Sequence, residues 1–148
     1  MEQEIIKKTV KEFFEKLGAG QEIIIERKEE KMFFVSVKVS EPRIFIGKRG
    51  EVLFLIQKLL VKILKKKTRK EIFIDLDIND YKKKKINFLR ELAQITADEV
   101  ALHKKEKELP PMPAYERRII HLTLASRKDV FTESKGEEPK RRVVIRPK

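Results

Sequence analysis

Two short stretches of this 148-residue chain carry residue types suited to holding a phosphate. The first is Gly47-Lys48-Arg49-Gly50, placed just before an amphipathic run. Glycines at both ends lack Cβ atoms, so another backbone can approach the main chain closely. The helix that follows offers free N–H groups and a partial positive charge at its start, and Lys48 and Arg49 add full charges. Ile46, Val52 and Leu53 are the apolar residues expected to floor a groove beside the loop. The second stretch pairs Arg117 with His121 at i and i+4, on one face of a predicted helix. A permanent cation beside a titratable imidazole supplies two converging donors for a phosphate oxygen. Arg118 lies next to this pair in sequence, and Arg141 and Arg142 open a later strand that extends the basic surface if it folds nearby.

The rest of the composition agrees with a polyanionic partner. The formal charge is +12, from 36 Lys and Arg against 24 Asp and Glu. The excess is spread over both halves, net +5 for residues 1–78 and net +7 for 79–148. A field of that sign and spread favours nucleic acid or an anionic membrane. Hydrophobic and charged residues each make up 41% of the chain, enough apolar material for real cores beneath an ionic surface. There is no cysteine and only two histidines, His103 and His121, so neither a disulfide framework nor a zinc cluster is expected. The start lacks the basic and apolar regions of a signal peptide, and no apolar run reaches the ~18 residues of a membrane span. The expectation is a cytoplasmic protein without metal or cofactor. The Lys65–Lys70 and Lys82–Lys85 runs read first as solvated faces. Asp75 and Asp77 read as alternating residues on an exposed strand face rather than as catalytic carboxylates.

Periodicity indicates the elements that must position these groups. Ile6, Val10, Phe13, Phe14 and Leu17 repeat with helical spacing, with Gly18 and Gly20 as stop and turn. Glu22–Arg27 and Phe33–Val39 read as two strands joined through Lys28–Lys31. A short piece at Pro42–Ile46 precedes the glycine loop. A helix over Glu51 to about Lys65 follows, with Val52, Ile56, Leu59, Leu60 and Ile63 on one face, and then a strand over Glu71–Ile78. Asn79-Asp80 offers an N-cap for a long helix to about Leu102, with Leu89, Ala93, Thr96 and Val100 in register. Lys104–Leu109 suggests a short strand, and Pro113 suits the first turn of a helix to about Ser126. Val130–Ser134 and Arg141–Arg146 close the chain as two strands. The fold class is α+β, in two small domains at 1–79 and 80–148.

In this context the motifs resemble known families. Ile46-Gly47-Lys48-Arg49-Gly50-Glu51, placed after αββ and before a helix and a strand, resembles the loop of a prokaryotic-type KH domain, αββ(α)αβ. In that family the loop clamps the backbone of about four nucleotides. Pro110-Pro111-Met112-Pro113-Ala114-Tyr115-Glu116-Arg117-Arg118-Ile119-Ile120-His121 resembles the R-3-H domain, together with the later run from Ser134 to Ile145. That family binds single-stranded nucleic acid, and its fold is a small sheet with two helices packed on it. The order KH then R-3-H is that of the bacterial Jag family, the SpoIIIJ-associated proteins. The resemblance implies a cytoplasmic regulator that binds single-stranded RNA and is linked to cell envelope, division or sporulation. It also implies a small single-KH partner protein. The N-terminal Jag domain carried by many members is expected to be missing. Ile46, Gly47, Lys48, Arg49, Gly50, Arg117, Arg118, His121, Arg141 and Arg142 would then contact RNA. The competing readings are a binder of double-stranded nucleic acid or single-stranded DNA, an adaptor at an anionic membrane or a membrane insertase, and a nuclease using His121 as base. The last lacks a carboxylate cluster for magnesium and a Walker-type loop.

Overall fold

Glu2–Lys16 forms helix α1 because its apolar residues recur on one side, and that side buries Ile6, Val10 and Phe14 completely. Leu17 does not join them; it caps the helix and is half exposed. The computed structural model describes residues 1–19 and 21–148, so the expected turn role of Gly20 lies outside the described residues. The chain divides into two compact units, Met1–Lys83 and Lys84–Lys148.

In the first unit, β1 (Gln21–Glu29) and β2 (Met32–Val39) form an antiparallel hairpin, and β3 (Phe73–Ile78) joins β2 in parallel. The sheet order is β1-β2-β3, which leaves one edge of β3 open. A parallel partner requires a crossover, and α2 (Pro42–Ile46) and α3 (Glu51–Thr68) supply it. The core combines Phe14, Phe33, Val35 and Val37 with Leu53, Leu60, Leu64, Leu76 and Ile78, all fully buried.

The buried stripe of α3 is Leu53, Ile56, Leu60 and Leu64, one position round from the stripe expected from periodicity. Val52 to Ile56 are all apolar, so period alone does not choose a face there. Packing against the sheet does, and it leaves Leu55 and Leu59 exposed. A second correction concerns the start of α4 (Tyr81–His103). Asp77, not Asp80, satisfies its first turn: its carboxylate accepts the N–H groups of Ile78, Lys82 and Lys83. Asp77 is 1% exposed and therefore not a solvent-facing strand residue. Asn79 instead turns back to β2, where its amide bonds both the N–H and the carbonyl of Val39.

The unit boundary falls in the first turn of α4. In the second unit, β4 (Lys107–Glu108), β5 (Val130–Lys135) and β6 (Arg142–Pro147) form an antiparallel sheet ordered β4-β6-β5. The expected strand at Lys104–Leu109 is thus only two residues long. Helix α5 (Ala114–Leu124) starts at Pro113, whose carbonyl accepts the N–H groups of Glu116 and Arg117. Leu89, Ala93, Ala97 and Val100 of α4 meet Ile120, Leu124, Val130, Val143 and Ile145 in a separate core. Arg146 of β6 pairs with Glu133 of the neighbouring β5, and Lys135 of β5 reaches across β6 to Glu108 of β4. The mixed α+β class is the one expected. Among the described residues, no helix is long and apolar enough to cross a membrane.

Candidate nucleic-acid interface

In the first unit the glycine loop links α2 to α3 through a single 3₁₀ turn, Lys48–Gly50. Gly47 has φ +72°, and a Cβ there would collide with the side chain of Val52. Gly50 has φ +79°, with the ring of Tyr81 close to where its Cβ would stand. Both glycines are therefore required by backbone conformation and by close neighbours. Arg49 also sits at positive φ, and both Lys48 and Arg49 are exposed. Among the described residues, neither forms an ion pair. The loop thus presents two uncompensated cations at the start of an 18-residue helix.

Further along the helix, the surface of α3 lies along the open edge of β3. Gln57, Lys58, Val61 and Lys62 lie opposite Met32, Phe73 and Ile74 around an open cavity of about 500 Å³. Nearer the loop, Lys82 bonds Asp75 and Gln57, both at 2.7 Å, and lies 5.0 Å over the Phe54 ring. The Gln57 side-chain oxygen also accepts the Leu76 N–H at 2.9 Å, which occupies a donor on the open strand edge. The apolar floor differs from the expected one. Leu53 is fully buried in the core, and Ile46 and Val52 are half-buried against it. Sequence reasoning missed Gln57, Val61 and Phe73, because only the parallel pairing of β3 brings them together. The lysine runs are divided in use. Lys67 and Lys70 pair with Glu12 and Glu2, while Lys65, Lys66, Lys83 and Lys84 are exposed.

In the second unit, Arg117 and His121 occupy one face of α5, with the turn 136–141 and strand β5 beside them. Arg117 is only 8% exposed. Its Nη1 donates to the Met112 carbonyl at 2.6 Å and pairs with Glu138 at 2.9 Å. His121 has both ring nitrogens engaged: Nδ1 lies 2.6 Å from the Thr132 hydroxyl and Nε2 lies 2.8 Å from the Ser134 hydroxyl. Burial holds the imidazole pKa below its ordinary value, and the Arg117 and Arg141 cations push it the same way. Arg141 donates to the Gly136 carbonyl at 2.7 Å, and Arg142 donates to the Lys140 carbonyl at 3.2 Å. Arg118 is exposed and forms no ion pair among the described residues.

The two residues do share a face, and Arg141 acts on the same imidazole. They are not the pair of open donors that their spacing suggests. Thr132, Ser134 and Glu138 complete the cluster and were not found from sequence. The i, i+2 spacing of Thr132 and Ser134 places both hydroxyls on one side of β5, but only packing shows that α5 covers that side.

Residues 87–147 match the sequence profile of the R-3-H domain family. The second unit is an R-3-H domain. The chain is also similar to curated relatives. It is 36% identical over 137 residues to the RNA-binding protein KhpB of Clostridium symbiosum, covering 92% of this chain and 62% of that protein. It is 31% identical over 129 residues to RNA-binding protein KhpB of Bacillus subtilis, covering 86% and 62%. For the protein of that name in Lactiplantibacillus plantarum, identity is 35% over 102 residues, covering 69% and 32%. The chain therefore spans less than two thirds of the length of these relatives.

Proposed function

We propose that this chain binds single-stranded RNA through two modules: a KH domain over about residues 1–79, and the R-3-H domain over about 80–148. The observation that carries the reading is the loop Gly47–Gly50. Its two cations are unpaired among the described residues and exposed, its glycines cannot carry a Cβ without strain, and it leads into the helix whose later turns line a groove at the edge of β3. Such a loop holds a phosphate backbone, while the cavity further along α3, lined by Val61, Phe73, Lys58 and Lys62, suits unstacked bases. The RNA-binding name of the KhpB relatives and the R-3-H match support the same conclusion for the second module. There, the contact residues are the exposed Arg118 and the half-buried Arg141 and Arg142, with Arg117 reached once Glu138 moves aside and His121 behind Thr132 and Ser134. The Jag resemblance adds a cytoplasmic, post-transcriptional regulator working with a small single-KH partner in envelope, division or sporulation control.

The test is a double charge reversal, Lys48→Asp with Arg49→Asp, followed by fluorescence anisotropy on a labelled single-stranded RNA. Affinity is expected to fall at least about tenfold with the fold unchanged by circular dichroism. The slope of log affinity against log salt should shrink by about 1.4, at ~0.7 for each phosphate no longer neutralised. Unchanged affinity and slope in the folded variant would reduce the loop to a turn. Parallel titrations with single-stranded DNA of the same sequence decide which nucleic acid is preferred.

A further inference from the structure

His121 has no ring nitrogen left to meet a ligand, since Thr132 and Ser134 hold both of them at 2.6 and 2.8 Å. The two hydroxyls come from alternate residues of β5, point to the same side, and are half-buried rather than sealed in the core. A neutral imidazole carries one N–H, so it donates to one hydroxyl and accepts the proton of the other. The hydroxyl that receives the N–H keeps its own O–H for an outside acceptor; the other does not. When the ring is protonated, both nitrogens donate, and both hydroxyl protons are free to point outward. The charge state of His121 therefore sets whether the strand presents one donor or two.

The surroundings suit an anion. Arg117 of α5 and Arg141 before β6 are the charged groups that act on the ring, and Glu138 lies beyond, paired with Arg117. Burial, with both arginines acting the same way, disfavours the protonated ring in the free protein. An arriving phosphate brings the opposite charge and favours the protonated ring. We propose that Thr132 and Ser134 are the side chains of this R-3-H domain that meet a nucleic-acid phosphate, with His121 as the positioning residue that turns both hydroxyls outward when it takes up a proton. This inference rests on the reading that the second unit binds RNA.

Anisotropy titrations of the full chain with a labelled single-stranded oligoribonucleotide test it across the pH range from about 8 to about 6, which brackets the ordinary imidazole value. Wild-type affinity should rise as pH falls. Thr132→Val and Ser134→Ala should each weaken binding about fivefold at the acid end, the loss of one hydrogen bond of ordinary strength. Each should flatten the pH dependence as His121→Ala does, and neither should add further loss to His121→Ala. Thr132→Ser, which keeps the hydroxyl, should restore both affinity and pH response. Independently of any variant, the NMR titration midpoint of His121 should rise when RNA is bound, and an unchanged midpoint would overturn the proton uptake. Hydroxyl-free variants that bind like wild type, with the pH response intact, would overturn the proposal and make His121 the direct contact. If His121→Ala bound like wild type while the Lys48/Arg49 reversal did not, the second unit would not be a binding site, and the reading beneath the inference would fail with it.

Discussion

Glu138 places a carboxylate on the same guanidinium nitrogen of Arg117 that a phosphate oxygen would seek. Its side chain is 59% exposed, whereas that of Arg117 is 9% exposed, so the carboxylate can swing into water and leave the arginine behind. RNA that engages Arg117 must first displace it. Exposed ion pairs are worth ~0.2–1 kcal/mol, and the buried arginine puts this one near the upper end. Glu138→Gln should therefore tighten RNA binding by up to about fivefold, the equivalent of ~1 kcal/mol at 1.4 kcal/mol per tenfold. Removing a negative charge anywhere would also favour a polyanion, so a control is needed. Glu137→Gln provides it, since Glu137 lies on the same turn, is exposed, and is not the partner of Arg117. Anisotropy titrations at fixed salt should rank Glu138→Gln above Glu137→Gln, and both above wild type. Equal gains from the two variants, or a loss from Glu138→Gln, would refute a competition between carboxylate and phosphate at Arg117.

Three further outcomes follow from packing and protonation. Asp77→Ala should destabilise the first unit by about 1–2 kcal/mol in chemical denaturation, because three backbone N–H groups lose their buried acceptor. Gly47→Ala should lower stability by about 1 kcal/mol or more and weaken RNA binding as well, since a Cβ at φ +72° both strains the backbone and strikes Val52. An NMR titration of the free protein should place the His121 midpoint below the ordinary ~6.5. Since the unfolded chain then binds that proton more readily than the folded one, stability should fall as pH drops through about 6.5, and His121→Asn should remove this contribution.

Much of the fold was legible in local pattern. The alternation of Ile72, Ile74, Leu76 and Ile78 places β3, and Leu89, Ala93, Thr96 and Val100 mark the buried side of α4, because strand and helix periods are set by backbone geometry alone. Gly47 and Gly50 were recognisable because positive φ selects glycine, and the exposure of Lys48 and Arg49 follows from a short polar turn. Where every position is apolar, as from Val52 to Ile56, pattern carries no direction, and contact with the sheet chose Leu53 over Val52. Asp77 looked solvent-facing from its place in the alternation, but the first turn of α4 meets its carboxylate and makes it a helix cap. The Arg117-x-x-x-His121 spacing determined that two basic side chains share a helical face. Which of their donors remain open was decided by chain outside the helix: Met112 and Glu138 take Arg117, and Thr132 and Ser134 take His121. Spacing along one helix fixes direction, whereas hydrogen-bond partners depend on which strand and turn the core brings alongside, and that is a property of tertiary packing alone.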